Sequence, residues 1–195
     1  MKIIFLEGAR GTGKSTVAQL MRSRLPATTL INATGFKEDG DKGFLKIVQY
    51  YVAMFKMLES SQSLTDATFI FDRFFFTETV FSQLYKTYGN DFSIMHNNFM
   101  YQISQLRAEV HIVYMRCHSS EELEQRLVRN KLPFASVEES VWESQCQDQR
   151  YELIFNKLIE DKKSGLFKNI DIHEVKVDGK DPEIVFEEVK SLTAN

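Results

Sequence analysis

The chain has only two cysteines in 195 residues, Cys117 and Cys146, too few and too far apart for a disulfide framework or a zinc site. Both read as reduced, packed thiols. Proline is scarce too, at three residues, tryptophan occurs once, and no segment is repeated or of low complexity. No apolar run reaches the length of a membrane span, and the opening run Lys2–Leu6 stops at Glu7, too short for a secretion signal. A cytoplasmic protein without membrane contact is expected. An excess of positive charge is also missing: the formal net charge is −3, so nucleic acid is admitted as a partner but not favoured. What is present, 43% hydrophobic and 26% charged residues, suits one soluble globular domain over 1–195.

Glycine is concentrated in one place. The stretch Phe5-Leu6-Glu7-Gly8-Ala9-Arg10-Gly11-Thr12-Gly13-Lys14-Ser15-Thr16 contains G-x-x-x-x-G-K-[ST]. Its glycines admit backbone angles that a Cβ forbids, so the N–H groups of Gly8, Arg10, Gly11, Thr12 and Gly13 can turn inward around an anionic oxygen. Lys14, Ser15 and Thr16 open the next helix, whose positive dipole end faces the same charge. Lys14 adds a cation for the β- and γ-phosphates, and Ser15 offers a hydroxyl to Mg²⁺. A β-prone apolar run precedes the motif, and Val17, Leu20, Met21 and Leu25 follow at helical spacing, as a strand, loop and helix require. ATP with Mg²⁺ is the expected occupant.

Four further strands are predicted, at 28–32, 68–71, 110–115 and 172–177, alternating with helices. The fold class is therefore α/β: a three-layer arrangement with a five-stranded parallel sheet, helices on both faces and a helical lid. Residues 33–43 read as a loop, serving either a substrate or a plain connection. Residues 44–58 form a helix with a wide apolar face, but Tyr50, Met54 and Met57 fall outside the stripe, so either the core or a second subunit, as in a homodimer, covers them. Asp72 and Arg73 stand at the carboxyl end of a parallel strand, the ligand edge of such sheets. Asp72 there can bind metal or take a proton, and Arg73 can hold a phosphate with two N–H bonds. Phe74, Phe75 and Phe76 cannot all face one core, so at least one is expected at a cavity or interface. A helix is predicted over 77–88, an irregular polar stretch over 90–100 and a short helix over 99–106. His111 reads as a packed strand residue. Ser119 starts a helix with the cations Arg126, Arg129 and Lys131, Pro133 breaks it, and a second helix, about 137–158, carries Arg150 and Tyr151. This pair reads as a lid of about 126–150 on a core of 1–125 and 160–195, with Arg126 and Arg129 meeting phosphate only on closure.

These residues resemble the P-loop nucleoside and nucleotide kinases, and most closely the thymidylate kinases. The resemblance rests on Phe5-Leu6-Glu7-Gly8 with Gly13-Lys14-Ser15-Thr16, on Asp72-Arg73-Phe74-Phe75-Phe76-Thr77-Glu78-Thr79-Val80-Phe81 against D-R-[YF]-x-x-S-x-x-A-[YF], and on the lid cations. Arg10 stands where thymidylate kinases place Asp, and Ala33-Thr34-Gly35-Phe36 replaces their Glu-Pro-Gly. The resemblance implies transfer of the γ-phosphoryl of ATP to a nucleotide, a (deoxy)nucleoside 5′-monophosphate of thymidylate type. Lys14, Asp72, Arg73, Arg126 and Arg129 form the expected catalytic set, with Ser15 and Asp72 at the metal. The alternatives are a kinase of a nucleoside, or of a polynucleotide or modified-base hydroxyl, with Asp72 as base, and a non-catalytic nucleotide switch.

Overall fold

The computed structural model describes residues 1–129 and 136–194, with the backbone alone for Arg129. The elements run β1 (Lys2–Glu7), α1 (Lys14–Arg24), β2 (Thr28–Ile31), α2 (Gly40–Ser60), β3 (Thr68–Asp72), α3 (Phe75–Leu84), α4 (Phe92–Gln105), β4 (Glu109–Arg116), α5 (Ser120–Arg129), α6 (Val137–Lys163), β5 (Ile170–Lys176) and α7 (Pro182–Leu192). All four strand pairings are parallel, and the order is β2-β3-β1-β4-β5. The chain reverses direction across the sheet at β1, so the crevice at the carboxyl end of β1 is where an open α/β sheet takes its ligand.

Period-two alternation in β1 divides the core into two layers. Ile3 and Phe5 enter a large aromatic cluster with α2, α3, α4 and α6, whereas Ile4 and Leu6 pack with Val17, Met21 and Phe186 of α1 and α7. Glu7 continues the Ile3–Phe5 face, so a carboxylate is carried to the edge of the aromatic layer. Helix starts are fixed by side chains: Asp39 caps α2, Ser136 and Glu139 form a capping box on α6, and Asp181 with Pro182 begins α7. None of the described helices is long and apolar enough to cross a membrane.

Three sequence expectations need correction. Phe74, Phe75 and Phe76 are all fully buried in one cluster, because α3 is enclosed on every side from Phe75 to Val80 and Phe74 enters the core on extended backbone. The stretch after Asp91 is not irregular: Asp91 caps Ser93, and Phe92, His96, Phe99, Met100 and Ile103 recur on the buried side of α4. Helix α2 starts at Gly40, inside the stretch 33–43 read as a loop, whereas Tyr50, Met54 and Met57 lie half-buried against the core, the first of the two coverings expected. His111 is 1% exposed in β4, as expected, and bonds Glu109 and His173. The predicted joint at Pro133, with Lys131, lies outside the described residues.

Candidate functional site

The loop between β1 and α1 is built by its glycines. Gly8, Gly11 and Gly13 have φ of 139, 83 and 88°, and a Cβ on Gly8 would stand 2.2 Å from the backbone oxygen of Met115 in β4. The first turn of α1 has no side-chain cap, which leaves its N–H donors turned to the loop. Lys14, 3% exposed, donates to the Ala9 carbonyl at 2.6 Å and to Thr12 Oγ1 at 3.1 Å. Burial, with the Arg73 guanidinium nearby, lowers its pKa from 10.5 to about 7. Ser15 and Thr16 are exposed at the mouth.

The other side of the loop is held by α6. Arg10 N–H donates to Gln147 Oε1 at 3.1 Å, its carbonyl accepts from Ser144 Oγ at 2.6 Å, and its guanidinium reaches Glu143 at 3.3 Å. Arg10 is thus engaged through backbone and side chain by one helix face. Arg126 departs from the expectation that it waits for closure: it bonds Glu122 and the carbonyls of Val177 and Lys180, and its Nη1 comes 3.7 Å from where a Gly13 Cβ would be. It already stands beside the loop. The side chain of Arg129 lies outside the described residues.

Asp72 pairs in register with Leu6, and the N–H of Arg73 donates to the Leu6 carbonyl at 3.1 Å, so both residues sit at the root of the loop. Arg73 has φ of 73°, a left-handed conformation that costs a side-chain residue free energy. Asp72 is 3% exposed; among the described residues its Oδ2 meets only Asn32, at 3.5 Å, and its Oδ1 is buried without a hydrogen-bond partner. An unmet carboxylate oxygen beside a phosphate loop suits a cation or its waters, so the donor set of Ser15 and Asp72 fits Mg²⁺. A second cluster, Cys117, Glu122 and Asp178, is occupied by the protein itself: Asp178 caps two backbone N–H groups, Glu122 holds Arg126, and burial raises the Cys117 thiol to about 12.

Residues that sequence reasoning missed surround this centre. Glu7 is fully buried and accepts from the Phe74 N–H at 2.5 Å, from Thr77 Oγ1 at 2.8 Å and from Tyr151 Oη at 3.2 Å. Burial raises its pKa from 4.5 to about 7, against those hydrogen bonds and the attraction of Lys14 and Arg73. The one signal for it was a carboxylate continuing an apolar strand. Glu78, 4% exposed with a pKa raised by burial, accepts from Tyr88 and abuts Gly35, while Lys86 holds the carbonyls of Phe36, Lys37 and Glu38. The loop after β2 is therefore pinned beside α3. Tyr151 joins the Glu7 network, whereas its neighbour Arg150 lines a separate cavity between α3, α4 and α6, not the phosphate loop.

No family model and no curated protein matches the chain. Solved structures do. A deoxyadenosine kinase from M. mycoides with bound dCMP and dCDP superposes with a TM-score of 0.58 at 14% identity, covering 97% of each chain. The YorR protein of Bacillus subtilis, solved with phosphorylated GDP, gives 0.61 at 14% identity over 98% of this chain and 95% of its own. The thymidylate kinase of Candida albicans gives 0.58 at 18% identity over 98% and 90%. With a phosphate loop leaving the central strand of a β2-β3-β1-β4-β5 parallel sheet, the chain has the fold of the P-loop nucleoside and nucleotide kinases.

Proposed function

We propose that the protein is an ATP-dependent phosphotransferase whose acceptor is a nucleoside 5′-monophosphate of the thymidylate type. The observation that carries this reading is the Asp72-Arg73 pair, fixed by register and by a backbone hydrogen bond to Leu6 at the root of the phosphate loop. The nucleoside and nucleotide kinases among the structural neighbours support an acceptor of this class. An oxygen of the acceptor phosphate attacks the γ-phosphorus, the bond to the β-phosphate oxygen breaks, and ADP leaves. Lys14 and the loop N–H groups hold the charge that gathers on the transferring group and the leaving oxygen. The acceptor oxygen is already anionic, so no proton needs collecting, and Arg73 binds that phosphate with two N–H bonds. Ser15 and Asp72 would hold Mg²⁺, which would neutralise further negative charge on the triphosphate. Arg126 and Arg129 add positive charge from α5, Arg126 from its standing place beside the loop rather than by closure, in a chain that acts as a single domain.

The test is an ATP-consumption assay of nucleosides against their 5′-monophosphates, with wild type and Arg73→Ala. The expected result is faster turnover of a monophosphate and an acceptor KM raised on the order of tenfold in Arg73→Ala. The unmet Oδ1 of Asp72 favours one second reading, a nucleoside kinase in which Asp72 takes the hydroxyl proton. Faster nucleoside turnover, an Arg73→Ala KM unchanged from wild type and a low-pH fall in kcat that vanishes in Asp72→Asn would replace the first reading with the second.

A further inference from the structure

Helices α3 and α6 hold the phosphate-loop network with one side each and, with α4, enclose a cavity of about 740 Å³ with the other. That volume lies within the range of small-molecule sites, about 300–1,000 Å³. Its apolar wall is formed by Met100, Leu153, Ile154, Leu158 and Phe167. Leu153 and Leu166, both lining residues, are 61% and 52% exposed, so apolar surface is left facing water there.

The polar part of the cavity has a defined character. Thr79 Oγ1 donates its single hydrogen to the Phe75 carbonyl at 2.8 Å, so toward His96 Nδ1, at 2.9 Å, the same oxygen can only accept. Nδ1 therefore carries the ring proton. His96 is 8% exposed, and burial with Lys157 nearby lowers its pKa to about 4, so the ring is neutral and Nε2 presents a lone pair. Nε2 is the one polar atom of this lining side chain that meets no donor among the described residues. Arg150 and Lys157, two turns apart on α6, line the same cavity and make no ion pair among the described residues, and Asp161 is the one acid among the lining residues described. The site thus offers an apolar wall, a surplus of positive charge and an unpartnered imidazole acceptor on a buried residue.

We propose that this cavity binds a small amphipathic organic anion: an aromatic or branched body against Leu153, Ile154 and Phe167, a phosphate, sulfonate or carboxylate at Arg150 and Lys157, and an N–H or O–H donated to His96 Nε2. The site is separate from the phosphate loop, and the proposal stands whether or not the phosphoryl acceptor is a monophosphate. 8-Anilinonaphthalene-1-sulfonate carries the three required features, an aromatic body, an anionic group and one N–H, and serves as the probe.

Titration of the full chain, shown native by a cooperative melt, is followed by probe fluorescence and calorimetry, with sedimentation in parallel. One probe per chain is expected, not displaced by saturating ATP, with affinity about tenfold lower in the double variant Arg150→Glu and Lys157→Glu. His96→Phe is expected to weaken binding by about fivefold through loss of the acceptor. The two charge reversals lie at exposed positions, so they keep the test decisive if the His96 variant does not fold. Displacement of the probe by ATP, or wild-type affinity in the double variant, would overturn the proposal. So would a dimer that Leu153→Glu converts to a monomer, since the cavity would then be covered by a second copy.

Discussion

Lys14 is a buried ammonium with two oxygen partners and a guanidinium nearby, and its pKa of about 7 leaves it largely neutral at pH 8. A triphosphate brought against it restores the attraction that burial removed, so its pKa must rise when ATP binds. Binding at pH 8 is therefore expected to take up close to one proton, read as a dependence of the calorimetric enthalpy on the ionisation enthalpy of the buffer. Lys14→Met should bind weakly and without that dependence. A wild-type enthalpy that is the same in phosphate and in Tris would show that Lys14 is charged throughout. Glu7, whose pKa the same burial shifts in the opposite direction, could not have been assigned this environment from its neighbours in sequence. Its partners Thr77 and Tyr151 lie 70 and 144 residues further along, and only the closure of β1, α3 and α6 brings them together.

At the level of elements, α5 is tied to the carboxyl end of β5 before any ligand arrives. Arg126, with a side chain 15% exposed, is paired to Glu122 and bonded to the carbonyls of Val177 and Lys180. Removing it takes a charged donor from Glu122, which keeps the Gly179 N–H, and from the carbonyls of Val177 and Lys180, of which Val177 keeps the Lys180 N–H. Arg126→Ala is accordingly expected to lower the melting temperature of the unliganded protein by roughly 3–6 °C, besides slowing turnover. An unchanged melting temperature would return Arg126 to the role of a cation that engages only on closure. The central strands and the phosphate loop were legible in the sequence because β1, β3 and β4, buried on both faces, read as apolar runs and the loop chemistry is confined to a short motif, while the edge strands β2 and β5, partly exposed, were legible from β-prone residues alone. Helix α4 was hidden because Asn97 and Asn98 break the apolar pattern on its outer side, although Asp91 is a sound capping residue. Helix α3 was misread for a different reason: it is buried on every side from Phe75 to Val80, the polar Thr77, Glu78 and Thr79 included, so its buried face leaves no apolar stripe to detect.

For the whole molecule, the buried titratable groups act on stability in opposing directions. Glu7 has a folded pKa raised from 4.5 to about 7, so its contribution is full below pH 4.5 and is lost as pH climbs through 7. His96 has a folded pKa lowered from 6.5 to about 4, so its contribution is full above pH 6.5 and is lost as pH falls toward 4. Lys14 shares the sign of His96 at higher pH, with a contribution full above 10.5 and lost as pH falls through 7. Replacing one group isolates its sign. Relative to wild type, Glu7→Gln is expected to gain melting temperature between pH 5 and pH 7 and to level off by pH 8, whatever its offset at pH 5. A difference that stays flat over that interval would mean that Glu7 is ionised throughout and stabilised by Lys14 and Arg73.

The grip of α6 on Arg10 also makes the molecule its own optical sensor. The single tryptophan, Trp142, lies on α6 beside Glu143 and Ser144, which bind Arg10, and its indole is 65% exposed. Any rearrangement of the loop around a triphosphate is passed to that helix face through one side-chain and two backbone contacts. Unlabelled protein is therefore expected to change its indole emission on titration with ATP and magnesium. Gln147→Ala with Glu143→Ala should mute the signal more than it weakens affinity measured by calorimetry. An emission spectrum indifferent to saturating nucleotide would mean that the loop takes its ligand without moving α6.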